Sequence, residues 1–276
     1  MTAVATPQSD SRSLFLVRRL SSRLFAVAGF LVAWKLVLEA LRVPPFLVPP
    51  PENVWSAIAT SLQRNPVGRG SFLSAAWATY SAAGMAFILA SVVGFGIALA
   101  LAKWRWLERA INPYIVAFQT LPRIAIAPLF LIWFGQGRPA KVYLATLVAF
   151  FPVLVNSLAG LKSTPPEWIE WMRMQGASSR QIFWTVRARY ASPYVFAGLE
   201  VALVFSILGV VVTEFVGSRS GLGVLILQSH YAVDVAGVFA VFVVLIGFGL
   251  IFRLGLSLTR KRLLFWAERE VADTGK

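Results

Sequence analysis

Residues 74–102 read SAAWATYSAAGMAFILASVVGFGIALALA, without a single Asp, Glu, Lys or Arg. A helix needs roughly 20 mostly apolar residues to cross the hydrocarbon core of a bilayer. A spanning segment must also satisfy its own backbone hydrogen bonds, which a helix does and a lone strand does not. An apolar run of this length therefore predicts a transmembrane helix.

Five further apolar stretches of similar length flank this segment on both sides. They cover residues 24–43, 110–134, 142–161, 193–216 and 235–258. Together the six stretches predict an all-α, polytopic membrane protein with six transmembrane helices.

The composition agrees with a membrane protein and excludes several other classes. Hydrophobic residues make up 58% and charged residues 14% of the 276 residues, whereas a soluble domain has about 45–50% and about 25%. The chain has no Cys and a single His, so we expect no disulfide, no metal site and no cofactor in this chain. The net charge of +14 is not concentrated in a soluble basic domain, so we expect no nucleic-acid partner.

The positions of the basic residues predict the orientation in the membrane. With the N-terminus inside, seventeen of the 26 Lys and Arg residues fall in cytoplasmic segments and six in outer ones. Such an excess marks the cytoplasmic side, so both termini are predicted to be cytoplasmic. The expected organisation is a cytoplasmic segment over 1–23, a transmembrane domain over 24–258 with a cytoplasmic segment at 162–192, and a cytoplasmic tail over 259–276.

The start of the chain carries two further expectations. Residues 11–23 mix apolar side chains with four Arg residues, which is typical of a helix lying on the inner membrane surface and contacting its lipid. Within the first span, Lys35 and Glu39 lie four residues apart and are expected to neutralise each other.

The cytoplasmic segment 162–192 contains two helix starts and a stop. Thr164 and Glu167 have the spacing of a capping box, as do Ser178 and Gln181. Gly176 lies between them, where a left-handed residue can end the first helix. The pattern predicts two short helices joined by a sharp turn.

These short helices have an apolar stripe and a charged face. Trp168, Trp171 and Met172 recur at helical spacing, as do Ile182, Phe183 and Val186. The stripe can pack under the protein's own spans. Arg173, Arg180 and Arg187 lie on another face, which suits the docking of a soluble partner.

This segment resembles the cytoplasmic signature of permease subunits of binding-protein-dependent ABC importers. The matching residues are Glu170-Trp171-Met172, Gly176-Ala177-Ser178, Ile182-Phe183, Val186, Pro193 and Gly198-Leu199. Further matches, at Pro49 to Val54, Pro122 to Gly135, Lys141, Glu214 and Gly221-Leu222-Gly223, resemble the nitrate/sulfonate/taurine class, over roughly residues 45–265. Trp171-Met172 replace two alanines of the family pattern, and Ala188-Arg189 replace Leu-Pro, which indicates a second helix that continues further.

The resemblance implies a transport function shared among several subunits. The short helices would be a coupling helix seated in one of two ATP-binding cassette ATPase subunits, which bind ATP and Mg. The chain has no phosphate-binding Gly-x-x-x-x-Gly-Lys motif, so it is not expected to be an enzyme. A second permease copy and an extracytoplasmic solute-binding protein would complete a transporter of the bacterial inner membrane. The coupling residues would be Glu170, Met172, Gly176, Ala177, Ser178, Arg180 and Arg187.

Polar residues inside spans are hypotheses for the translocation pathway, because they are costly in lipid. Arg123 follows Pro122 in the third span, and Gln119 and Thr120 precede it. An equally supported interpretation is that Arg123 snorkels toward the membrane surface or pairs with Glu214 or Glu200. The fifth span adds the remaining polar residues, Ser206, Thr213 and Glu214.

The substrate and two other classes of protein stay open. A small anion such as a sulfonate, taurine or nitrate fits the family class and Arg123, while a pyrimidine or an aromatic acid is the alternative. A stand-alone secondary transporter would require inverted repeats and buried acids, and an intramembrane enzyme would require a catalytic constellation. Neither pattern is visible in the sequence.

Overall fold

The computed structural model describes residues 10–64 and 71–264, which contain helices and connections but no strand. The helices are α1 (Asp10–Ala40), α2 (Pro51–Arg64), α3 (Phe72–Lys103), α4 (Arg105–Thr120), a 3-10 turn (Arg123–Ile126), α5 (Ala127–Phe134), α6 (Arg138–Lys162), α7 (Pro166–Met174), α8 (Ser179–Ile182), a π-helical turn (Phe183–Arg187), α9 (Ala188–Gly217), α10 (Leu222–Tyr231) and α11 (Val235–Leu263). The all-helical prediction is therefore confirmed for these residues.

The centre of the molecule is a three-helix packing of α3, α6 and α9. Its buried residues are mostly small: Ala82, Ala83, Ala86, Ala90, Ala145, Ala149 and Ala202. A Cβ at Gly209 of α9 would lie 2.7 Å from the Cα of Ala145 in α6. Small residues at the contact let helix backbones approach closely, which is the usual packing of helices in lipid.

Within the described residues, four helices are long and apolar enough to cross a membrane: α3, α6, the run Ser179–Gly217 and α11. They coincide with the predicted second, fourth, fifth and sixth spans. α1 continues without interruption through the boundary predicted between residues 23 and 24. The six-span count and the surface position of residues 11–23 stay predictions.

The third predicted span, 110–134, is not one straight helix. α4 ends at Thr120, and the segment Arg123–Phe134 leaves it at an angle of 82°. Pro122 lacks a backbone N–H and restricts the residue before it, so the helix stops at Leu121. The third predicted span is therefore broken at Pro122, and its two parts together are long and apolar enough to form one bent span.

The second helix predicted after Gly176 begins at Ser179 and continues further, as Ala188-Arg189 indicated, so only its short length is corrected. From Ser179 the chain remains helical to Gly217, through the π-helical turn and past Pro193. Pro193 donates no hydrogen bond to the Arg189 carbonyl, and the hydroxyl of Ser192 donates to that carbonyl instead, at 2.8 Å. This replacement explains how a helix can continue through a proline inside it.

α7 and the start of α8 lie at the end of the bundle predicted to face the cytoplasm, hereafter the inner end. The outer end carries α2, α10 and the N-termini of α3 and α6, whose buried residues Val54, Phe72, Leu222 and Ile226 form one apolar cluster.

Candidate functional site

The turn between α7 and α8 is built by Gly176. Its φ of 75° is a left-handed conformation that a residue with a Cβ adopts at a cost. The amide of Ala177 donates to the Met172 carbonyl at 3.0 Å, and the Gly176 amide donates to that of Arg173 at 2.9 Å. These bonds are the helix-terminating pattern predicted for this glycine.

Only one of the two predicted capping boxes forms. The Gln181 amide donates to the Ser178 hydroxyl at 3.4 Å, and the Ser178 amide donates to the Gln181 side chain at 2.8 Å. At the other start, α7 begins at Pro166 and Pro165 takes the capping position, so Thr164 lies one residue too early to cap. Its hydroxyl is buried without a partner among the described residues.

The apolar stripe is only partly buried. Ile182 and Val186 pack into the protein, as predicted, whereas Trp168 and Trp171 stand half exposed with their rings 6.4 Å apart. Met174 is 78% exposed. The inner end thus presents aromatic and thioether side chains that the chain itself does not cover.

The predicted coupling residues lie together around this turn. Glu170, Gly176, Ser178 and Arg180 are exposed, and the remaining three, Met172, Ala177 and Arg187, are partly exposed. The structure brings them to one end of the molecule; their role in coupling stays a prediction.

The three polar residues predicted in the third span lie at the break between α4 and α5. Gln119 and Thr120 are exposed, and Arg123 is partly exposed. The Arg123 guanidinium lies 4.8 Å from the centre of the Phe151 ring and donates to the Gln119 carbonyl at 3.5 Å. It pairs with neither Glu200 nor Glu214, so the predicted pairing with an acid is wrong.

The two acids have other basic partners. Glu200 accepts from Arg260 at 2.8 Å, and Glu214 accepts from Lys141 at 2.8 Å. In the first span, Lys35 pairs with Glu52 of α2 at 3.0 Å. The predicted neutralisation by Glu39 is therefore wrong, because α2 folds back to bring a carboxylate to Lys35.

Ser206, Thr213 and Glu214 were predicted to line the pathway, but the structure places them inside the packed helices. All three are 0–1% exposed. The Ser206 hydroxyl donates to the Leu203 carbonyl, and that of Thr213 to the Gly209 carbonyl, so both satisfy carbonyls of their own helix. In this conformation none of the three faces an open route.

Glu214 is the centre of a buried polar cluster that joins four helices at the outer end. The Thr79 hydroxyl of α3 donates to its carboxylate at 2.9 Å, and Lys141 of α6 donates at 2.8 Å. The Gly223 amide of α10 donates at 2.8 Å. Lys141 also donates to the Ser220 carbonyl, and the Leu222 amide donates to Thr79. We call this group the Glu214 cluster.

Two glycines make room for the Glu214 carboxylate. A Cβ at Gly221 would lie 1.9 Å from a carboxylate oxygen of Glu214, and Gly221 has a φ of 126°. A Cβ at Gly223 would lie 2.7 Å from the Glu214 Cβ. The turn 217–223 therefore folds over the Glu214 carboxylate. This contact explains the glycines of the turn, so they do not require a phosphate-binding loop.

Sequence reasoning missed this cluster, because Lys141 was counted as a cation of an outer loop. Its side chain is 3% exposed. The signal was nevertheless present: Lys141, Glu214 and Gly221-Leu222-Gly223 all belong to the matched family pattern, and the structure brings them into contact.

Comparison with known proteins identifies the class. Residues 90–264 match the family described as binding-protein-dependent transport system inner membrane component. The chain belongs to this family and is a permease of the ABC importer type.

Several relatives support the same class and differ in the solute for which they are named. The riboflavin transport system permease protein RibX of Chloroflexus aurantiacus is 35% identical over 71% of both chains. The formylaminopyrimidine transport permease protein ThiX of Halalkalibacterium halodurans is 30% identical over 87% of this chain and 93% of its own. The taurine transport system permease protein TauC of Escherichia coli is 27% identical over 91% of both.

Solved structures share the fold. An inward-facing MetNI methionine ABC transporter matches 70% of this chain and 94% of its own, with a TM-score of 0.58 at 19% identity. An amino acid ABC transporter with histidines matches 74% and 98%, with a TM-score of 0.57 at 18% identity.

Proposed function

We propose that this chain forms the translocation pathway of a bacterial ABC importer and transmits ATP hydrolysis from separate subunits to that pathway. The observation that carries the proposal is the inner end of the molecule, where the Gly176 turn holds α7 with Trp168, Trp171 and Met174 uncovered. Aromatic and Met side chains that the chain leaves exposed are typical of the core of a protein interface.

The proposed partner at this surface is an ATPase subunit, one for each permease. Glu170, Met172, Gly176, Ala177, Ser178, Arg180 and Arg187 surround the turn and would form the contact. Because the run Ser179–Gly217 is one helix, a displacement of the turn is transmitted directly to the fifth predicted span and to the Glu214 cluster at its far end.

A second permease copy is proposed to cover α4 and α5. Tyr114, Val116, Phe118, Ile132 and Trp133 on this broken segment are each more than half exposed. The polar residues at the break, Gln119, Thr120 and Arg123, would then face the space between two copies. An extracytoplasmic solute-binding protein would deliver the solute at the outer end.

The proposed substrate is a small organic or inorganic anion such as a sulfonate, taurine or nitrate. Arg123 is always charged, and no carboxylate pairs with it among the described residues. A cation without a counter-ion at a helix break is suited to an anionic solute.

A flat heterocycle such as a pyrimidine, or an aromatic acid, is the second candidate, and a specific observation favours it. The Phe151 ring lies beside the Arg123 guanidinium, and the Phe118 ring lies 6.4 Å from that of Phe151, so the break offers ring faces as well as charge. Two of the relatives reported above are named as transport permeases for riboflavin and formylaminopyrimidine.

Reconstitution with co-purified ATPase and solute-binding subunits in proteoliposomes tests both function and substrate. We expect ATP-dependent uptake that Gly176→Trp abolishes, because a Trp in the left-handed turn distorts the docking surface. Gly255→Trp is the matched control, since Gly255 is an exposed helical position with no atom within 4 Å of its Cβ site. Competition by taurine, nitrate or a pyrimidine identifies the substrate class. Uptake by the chain alone without ATP would instead support a secondary transporter.

A further inference from the structure

A basic cleft of about 660 Å³ opens at the inner end between α3, α6 and the segment that contains α7 and α8. Five cationic residues line it: Lys103, Arg105, Arg173, Arg180 and Arg187. Its wall is completed mainly by apolar side chains, among them Leu99, Ala102, Leu161 and Phe183. We call this space the basic cleft.

No carboxylate lines the basic cleft. The ion pairs Lys35–Glu52, Lys141–Glu214, Lys162–Glu108 and Arg260–Glu200 all lie outside the cleft. Glu108 lies nearby in α4, but Lys162 takes its carboxylate. Five like charges around one cavity repel each other, and a bound anion would relieve that repulsion.

The cleft lies at the inner ends of α3 and α6, two of the helices long and apolar enough to cross a membrane. Lys103 is the last residue of α3, and Lys162, next to Leu161, is the last residue of α6. Leu99, Ala102 and Leu161 belong to the apolar parts of those helices. The cleft is therefore cationic toward the aqueous side and apolar toward the membrane side.

This two-part lining matches a phospholipid better than a free ion or an acidic peptide. Arg guanidinium groups bind phosphate oxygens in a bidentate manner, and the apolar wall can contact the glycerol and first methylenes of a lipid. A free phosphate would leave the apolar wall without a partner. Basic pockets between spanning helices on the cytoplasmic side are suited to anionic headgroups.

We propose that the basic cleft binds the phosphate headgroup of an anionic phospholipid from the cytoplasmic leaflet. The lipid would join the side of the cleft formed by Lys103 and Arg105 to the side formed by Arg173, Arg180 and Arg187, and so hold the coupling segment against the spans. The choice of leaflet rests on the orientation in the proposed function, but the site itself does not require the ATPase.

The test measures lipid retained by the purified chain without its ATPase, by native mass spectrometry from mixed phosphatidylglycerol and phosphatidylcholine micelles. We expect phosphatidylglycerol to be retained preferentially, and K103Q/R105Q to reduce its retention roughly tenfold or more, since each cation near the surface contributes to anionic lipid binding. The charge-conserving K103R/R105K should keep most of it.

The matched control is K261Q/R262Q, which removes the same charge from the exposed end of α11 and should change retention less than twofold. Equal losses in the two double variants would overturn the proposal in favour of bulk surface charge. Displacement of the lipid by millimolar inorganic phosphate would overturn it in favour of a free-anion site. Absence of a preference for phosphatidylglycerol, while ATP-driven uptake persists, would overturn the lipid site and leave the transport function standing.

Discussion

The outer and inner ends of the helix bundle differ in whether their charged residues are paired within the chain. At the outer end Lys141 is buried, and the Glu214 carboxylate that it meets also accepts from Thr79 and the Gly223 amide. At the inner end, some 20 residues and about 30 Å along α6, Lys162 still pairs with Glu108, but the cations of the neighbouring basic cleft have no carboxylate among the residues lining it. The charges of the Glu214 cluster are paired within the chain, whereas those of the basic cleft are available to a partner.

This difference suggests a division of roles: the Glu214 cluster stabilises the fold, and the inner end binds the partners needed for transport. A buried carboxylate whose oxygens all have donors fixes α3, α6, α9 and α10 relative to one another, because any displacement would leave a charge unpaired in a medium of low dielectric. The exposed Trp and Arg residues of the inner end contribute little to folding, so they remain available for binding.

Removing one charge of the Glu214 cluster should have the largest effect. Lys141→Met leaves the Glu214 carboxylate buried without its cation, and breaking a buried pair in this way costs about 3–5 kcal/mol. We expect a much lower thermal midpoint, followed through the fluorescence of the 10 Trp residues. Lys162→Met is the control at the other end of α6; its half-exposed pair with Glu108 should cost at most about 1 kcal/mol.

A double variant sharpens the same comparison. Lys141→Met combined with Glu214→Gln keeps an acceptor for Thr79 and Gly223 while removing both charges, so it should recover much of the midpoint lost by Lys141→Met. If the two losses simply add, the pair does not act as a unit and the account of the outer end fails.

Replacement by Ala should cost more stability at Gly221, in the Glu214 cluster, than at Gly176, in the turn of the inner end. Gly221→Ala drives a Cβ into the Glu214 carboxylate and should cost about 3 kcal/mol or more. Gly176→Ala also meets a positive φ, of 75°, but no atom lies within 4 Å of its Cβ site, so it should cost about 1 kcal/mol. Thermal midpoints of the two variants decide this; equal losses would show that the contact with the Glu214 carboxylate adds no cost at Gly221.

Removing exposed aromatic side chains from the inner end should weaken assembly without weakening the fold. Trp171→Ala should reduce capture of the ATPase by about 2 kcal/mol in binding free energy, with an unchanged midpoint, because the side chain is half exposed. Trp55→Ala, at a 71% exposed Trp of α2, is the control and should leave capture intact. A lower thermal midpoint of Trp171→Ala would mean that Trp171 contributes to the folded core.

The smallest effect is expected at the exposed pair of Lys35 and Glu52. The hydrogen bond from Lys35 lowers the pKa of the Glu52 carboxyl. A lowered pKa in the folded state contributes stability above the ordinary carboxyl pKa, which is lost as pH falls through the lowered value. Glu52→Gln should therefore lower the midpoint slightly at pH 7 and not at all at acidic pH. A larger loss at acidic pH would contradict the assigned pairing.

The sequence was sufficient for features that depend on local chemistry. Apolar length located four spanning helices, Gly176 located the turn, and the Ser178–Gln181 capping box formed as expected. Pro122 marked the break, but sequence pattern alone could not give its 82° angle, because tertiary packing sets the direction of the chain after a helix ends.

The sequence pattern could not predict contacts between residues that are far apart in the chain. Lys141 and Glu214 are 73 residues apart, and only the packing of α6 on α9 makes them partners. The same holds for Lys35, which found Glu52 in another helix rather than Glu39 one turn away. Thr164 failed as a cap by a single residue, since either of two adjacent prolines could begin α7.

The most direct test of the account places a cross-linker on the proposed docking surface. Because the chain has no Cys, Trp171→Cys carries a photoreactive maleimide at one defined position, and Trp55→Cys carries it at the outer end. The account predicts that illumination of the assembled transporter joins the chain to its ATPase subunit from position 171 and not from position 55. Cross-linking from position 55, or from neither position in a complex that hydrolyses ATP, would contradict it.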